Sequence, residues 1–104
     1  MADALYRIDK FIVPEAARDR FLDQVAQVHA VLRHCPGCLS EQVVEQCDGP
    51  GRFNIVTIAV WESAEAIEAA KRAVLASRGE SGIDPASLIA ELGITADMAV
   101  YREI

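Results

Sequence analysis

The 104 residues are one domain's worth of chain, and with 52% of them hydrophobic the composition is globular rather than disordered. A formal net charge of −6 with no basic cluster argues against nucleic acid and anionic membrane as partners. No apolar run has the length of a membrane span, "MADALYRIDK" is charged from the outset, and three cysteines make no even framework, so the expectation is a soluble cytoplasmic protein.

In chain order, "ALYRIDKFIV" (4–13) is rich in β-branched and aromatic residues and predicts a first strand that ends at Pro14. Pro14 suits the start of a helix, and "EAARDRFLDQVAQVHAVLRH" (15–34) supplies one. Phe21, Val25, Val28 and Leu32 form its apolar stripe, widened by Leu22 and His29. Pro36-Gly37 stops it. "CLSEQVVEQC" (38–47) predicts a polar second strand, "DGPGR" a hairpin turn, and "FNIVTIAVW" (53–61) a third strand apolar on both faces. Ser63 is placed to cap a second helix, "AEAIEAAKRAVLAS" (64–77). Asp84-Pro85 begins a short third helix through Leu92, closed by Gly93, and "ADMAVYREI" (96–104) is a last strand.

The order β-α-β-β-α-α-β fits two right-handed crossovers, hence a single ferredoxin-like α+β domain over residues 1–104 with an antiparallel sheet ordered 4-1-3-2. The polar second strand then takes an edge and the apolar third strand a central place. Helices cover only one face of such a sheet, which leaves Val56, Ile58 and Val60 open to water. Each forfeits roughly 1.5–3 kcal/mol if exposed. A homodimer joined sheet to sheet is the expected remedy.

"HCPGC" (34–38) invites redox, zinc or haem readings. The motif follows a helix instead of starting one, so Cys35 lies at the negative helix end, which disfavours a thiolate. Haem attachment needs a histidine where Leu39 stands. Zinc needs four converging ligands, and neither Cys47 nor His29 converges with His34, Cys35 and Cys38. The stretch therefore reads as a turn. No glycine-rich nucleotide motif or H-E-x-x-H motif occurs either, so no cofactor and no metal is expected.

A helix, "PGC", a strand, a hairpin, a strand ending in Trp61-Glu62-Ser63 and a small-residue helix resemble the antibiotic biosynthesis monooxygenase family. The resemblance spans about residues 4–103 and implies a dimeric α+β barrel with a pocket between sheet and helices. It implies that Trp61 lines that pocket. In the family's quinone-forming type an asparagine precedes the tryptophan by four residues; here Thr57 holds that place, and Asn54 has the opposite parity. The haem-degrading type resembles the chain less, since Tyr6 stands near the place of its strand 1 asparagine and the second helix has no histidine.

The candidate site residues follow. His29 shares the helix stripe with Val25 and Leu32 and is either a core histidine or the neutral-pH base of a cavity. Trp61 is either core or ligand-facing, its indole N–H needing a partner. Thr57 would add a hydrogen bond. Phe21, Val25 and Tyr101 are expected to line the substrate site, and Arg72 or Arg78 to meet an anionic substrate unless they are solvated. These residues lead to a cofactor-independent monooxygenase that uses O2 on a small aromatic or quinol-type substrate. The alternatives are a non-catalytic dimeric binding domain of the same fold and an isomerase.

Overall fold

The computed structural model describes residues 3–81 and 85–104, and their side chains except those of 78–86. Asp84 and the Arg78 side chain lie outside the described residues. The elements are β1 (Leu5–Ile12), a 3-10 turn (Glu15–Ala17), α1 (Arg18–Leu32), β2 (Cys38–Glu45), β3 (Ile55–Trp61), α2 (Ala64–Ser81), α3 (Pro85–Glu91) and β4 (Thr95–Arg102). One antiparallel sheet carries the order β2-β3-β1-β4, the ferredoxin-like α+β arrangement expected.

The element ends differ from the expected ones for local reasons. The stretch after Pro14 starts as a 3-10 turn, and no side chain caps the α-helix that follows. β3 begins at Ile55, and the Asn54 side chain just before it is bonded to the end of β1. Its Nδ2 donates to the Val13 carbonyl at 2.9 Å, and its Oδ1 accepts from the Val13 N–H at 2.8 Å. Asn54 is thus a clasp at the end of β1. Ser63 caps α2 as predicted, its Oγ accepting from the Ala66 N–H at 3.1 Å.

The sheet's two faces differ. Along β3, Ile55, Thr57, Ala59 and Trp61 are buried beneath the helices, while Val56, Ile58 and Val60 are half-buried on the other side. Register places Tyr6, Ile8, Ala99 and Tyr101 on that outer face with them. Under the helices the core comes in two pieces. One gathers Phe11, Phe21, Val25, Ile55 and Ile94, with the Phe11 and Phe21 rings edge-on at 4.9 Å. The other gathers Ala59, Trp61, Ala66, Ile67 and Ala70.

The "HCPGC" corner fastens the second piece. Gly37 has φ +86°, and its carbonyl accepts from the Glu62 N–H at 2.9 Å. The exit of α1 is thereby tied to the start of α2. A Cβ on Gly37 would lie 2.5 Å from the Cβ of Ala66, so glycine is required for space as well as for conformation. The cysteines are free thiols; the Sγ of Cys35 donates to the Val31 carbonyl, and burial pushes the Cys38 thiol up.

Gly93 shares the left-handed conformation, φ +71°, but faces open space. Gly37→Ala is therefore expected to cost about 3 kcal/mol or more, strain plus overpacking, and Gly93→Ala only about 1–2 kcal/mol. Urea unfolding of both variants checks the ranking.

Candidate active site

Between the two core pieces lies a cavity of about 500 Å³, bounded by the inner face of the sheet and by α1, α2 and α3. It exists because the middle of that face is not filled by large side chains. Across the sheet Glu41 (β2), Ala59 (β3), Arg7 (β1) and Val100 (β4) form one row, and Val43, Thr57, Asp9 and Met98 the next. Ala59 and Thr57 are short, so the floor is low at the centre. The walls are mainly apolar, with Phe21, Val25 and Leu32 from α1 and Ile67, Ala70 and Val74 from α2. Leu75 and Met98, both more than half exposed, also line it.

Polar groups reach this apolar space in two distinct ways. The first set is charged and internally paired. Arg7 Nε donates to Asp9 Oδ1 at 2.7 Å, and both residues line the cavity. Burial pushes the Asp9 carboxyl up, opposed by its hydrogen bond from Arg7. His29, buried, lies with Nδ1 2.7 Å from Glu41 Oε2, and Arg33 Nε donates to Glu41 Oε1 at 2.9 Å. The hydrogen bond from His29, aided by Arg33, holds the Glu41 carboxyl below the usual carboxylate range. An ionised carboxylate only accepts, so the hydrogen between them sits on Nδ1.

The second set is neutral and unsatisfied. Gln24, Thr57 and Trp61 are buried and line the cavity, yet none of the three side chains has a hydrogen-bond partner among the described residues. A buried polar group left unpaired costs about 1–3 kcal/mol, so three such groups around one cavity, one on α1 and two on β3, point to a ligand that supplies the partners.

His29, Trp61, Thr57, Phe21 and Val25 are therefore brought together on one cavity. Tyr101 and Arg72 are not. Tyr101 pairs with Tyr6 on the outer face and is 41% exposed, and Arg72 is exposed on α2, where its neighbour Lys71 lines the cavity instead. Tyr6 shares the outer face, and α2 offers the cavity no histidine. Among the described residues no group of three or more His, Cys, Asp or Glu side chains is placed to hold a metal ion, and no helix is long and apolar enough to cross a membrane.

Sequence reasoning missed Arg7, Asp9, Gln24 and Glu41. A signal for three of them was available. Leu5, Arg7, Asp9 and Phe11 alternate on the β1 face that must meet the helices, so two charges stand where core residues belong. Glu41 has the same inward parity on β2.

Because the Thr57 hydroxyl is unpaired in the folded chain, Thr57→Val is expected to leave stability within about 1 kcal/mol of the parent or to raise it. Urea unfolding tests this; a loss of about 2 kcal/mol or more would show that the hydroxyl serves the fold.

The sequence matches the antibiotic biosynthesis monooxygenase family over residues 5–78. No curated protein matches it. Among solved structures, SnoaB, a cofactor-independent oxygenase from Streptomyces nogalater, superposes with a TM-score of 0.71 at 23% identity, covering 99% of this chain and 95% of that one. A conserved protein from Methanosarcina mazei Go1 gives 0.75 at 17% identity, covering 99% and 95%. A MhuD variant with two manganese protoporphyrin IX molecules bound per active site gives 0.69 at 22% identity, covering 96% and 93%. At these identities the structural likenesses establish the fold, and the sequence match establishes the family: the chain belongs to the antibiotic biosynthesis monooxygenases.

Proposed function

We propose that this protein is a cofactor-independent monooxygenase that converts a small polycyclic phenol, or a related quinol-type substrate, with O2. One observation supports this most: His29 and the unpaired donors of Gln24, Thr57 and Trp61 converge on a single, mainly apolar cavity of about 500 Å³. A flat aromatic body would fill the apolar part, and its oxygens would take the hydrogen bonds.

The chemistry then asks little of the protein. His29 takes the proton of the phenol. The phenolate gives one electron to O2, and the resulting phenoxyl radical, with spin density on its para carbon, joins superoxide there. The peroxide takes the proton back from His29, and loss of water leaves a quinone carbonyl. In sum, a phenol with a para hydrogen plus O2 gives a quinone plus water. Thr57 and Trp61 donate to the developing oxyanion, and the apolar wall keeps water from the intermediates. SnoaB, by its description a cofactor-independent oxygenase with this fold, is consistent with that chemistry.

A second reading is a binding domain that has kept the cavity without turnover. It is favoured by Thr57, a hydroxyl where the family's quinone-forming type carries an amide. Oxygen uptake with polycyclic phenols bearing an unsubstituted para carbon, 1-naphthol first, separates the two. The monooxygenase reading expects His29→Ala to lower turnover by about 10²–10⁴-fold. Trp61→Phe is expected to weaken binding without loss of fold. Unchanged turnover and a lowered Tm in His29→Ala would make the histidine a core residue.

The same reading includes a homodimer of single-domain chains, joined through Val56, Ile58, Val60 and the residues beside them on the outer face. Light scattering at micromolar concentration is expected to give twice the 11.3 kDa chain mass. Ile58→Lys is expected to yield monomer or unfolded chain. A parent protein that is monomeric at that concentration would contradict it.

A further inference from the structure

A neutral imidazole acts as a base through one nitrogen only, so the nitrogen that carries the hydrogen decides whether His29 can serve the cavity. The structure contains a device that makes this choice. Glu41 stands on the inner face of edge strand β2, directly across from Ala59. The short Ala59 side chain leaves room for the carboxylate to reach inward beneath α1. There one oxygen meets Nδ1 of His29 at 2.7 Å, and the other accepts from Nε of Arg33 at 2.9 Å. His29 and Arg33 are four residues apart in the chain, so a single face of α1 and the first residue beyond it grip both oxygens. The His29 and Glu41 side chains are only 7% and 17% exposed.

Glu41 does not itself line the cavity, whereas His29 does. With Nδ1 turned to Glu41, Nε2 on the far side of the ring is the nitrogen left for the cavity. It has no partner among the described residues. The opposite cavity wall carries Asp9, which is engaged by Arg7.

We propose that Glu41, held by Arg33, is the positioning residue of the His29 base: it keeps the hydrogen on Nδ1, presents the Nε2 lone pair to the cavity, and balances the imidazolium formed when a substrate loses its proton. The role in turnover rests on the reading of His29 as the base; the control of its tautomer does not. No covalent step is added. The proton moves from substrate oxygen to Nε2 and returns, while the hydrogen on Nδ1 stays where it is.

The test has two independent readouts. Long-range proton–nitrogen NMR of labelled protein, recorded at rising pH until the His29 ring is neutral, reports which of its nitrogens carries hydrogen. The expected parent spectrum shows Nδ1 protonated and Nε2 bare, and in Glu41→Leu the hydrogen moves to Nε2. Oxygen uptake with 1-naphthol is the second readout. Glu41→Leu is expected to lower kcat by about 10²–10⁴-fold with KM nearly unchanged, and Glu41→Asp to restore part of it. Glu41→Gln, which keeps the shape and an acceptor but no charge, is expected to lose about tenfold or more and serves if Glu41→Leu fails to fold. A parent protein protonated on Nε2, or a Glu41→Leu variant with unchanged tautomer, would overturn the proposal. The expected tautomers without 1-naphthol turnover would support the hold of Glu41 on His29 and count against the monooxygenase reading alone.

Discussion

A sheet covered by helices on one face must fill the gap between the layers, and here it does so only at the two ends. The Phe11–Phe21 group closes one end, and the Trp61–Ala66 group, pinned by Gly37 against the first turn of α2, closes the other. Between them Ala59 and Thr57 leave the floor of β3 low. Large residues at those two positions would merge the core pieces and remove the cavity. The close approach at Gly37 keeps that end fixed, since a gap between packed elements persists only where its margins are locked.

That gap also governs how charge is handled. Burying a charge in or beside such a space is costly unless it is paired, and among the described residues the charges on the inner sheet face are met by partners. Arg7 answers Asp9, and Arg33 together with His29 answers Glu41. Paired, half-buried charges add little net stability, so their presence on the inner face is poorly explained by folding alone. The neutral donors of Gln24, Thr57 and Trp61 carry the opposite signature, being buried and unanswered. The cavity therefore combines fixed electrostatics with open hydrogen-bonding capacity, which are the ingredients of a site that orients a ligand and moves a proton.

Much of this was legible in the sequence, because the relevant patterns are local. The strand order followed from the sequence of elements and the handedness of their crossovers, with polar β2 and apolar β3 agreeing, and the "PGC" turn followed from helix chemistry. His29, Thr57 and Trp61 could be placed on one cavity because helix stripe and strand parity each aim a side chain in one direction. What escaped was pairing across elements. Glu41 reads as an ordinary edge-strand carboxylate until α1 is laid over β2. Arg7 and Asp9 pair within β1, and what escaped there is that β1 sets them on the inner face beside β3. Asn54 shows the same limit: parity put it off the Thr57 face, but its clasp on Val13 depends on the packing of β1 against the hairpin. Tyr101 and Arg72 were assigned by residue type, and register and helix face carry both away from the cavity.

The central claim is that this cavity lets a bound phenolate react with O2 with no help beyond a base, oriented donors and the exclusion of water. Incubation with 1-naphthol under ¹⁸O2, followed by mass spectrometry of the product, tests it most directly. The account predicts one labelled oxygen atom in the quinone for each O2 consumed, the other leaving as water, and loss of that incorporation in His29→Ala. Quinone without label, or oxygen returned as hydrogen peroxide, would contradict it.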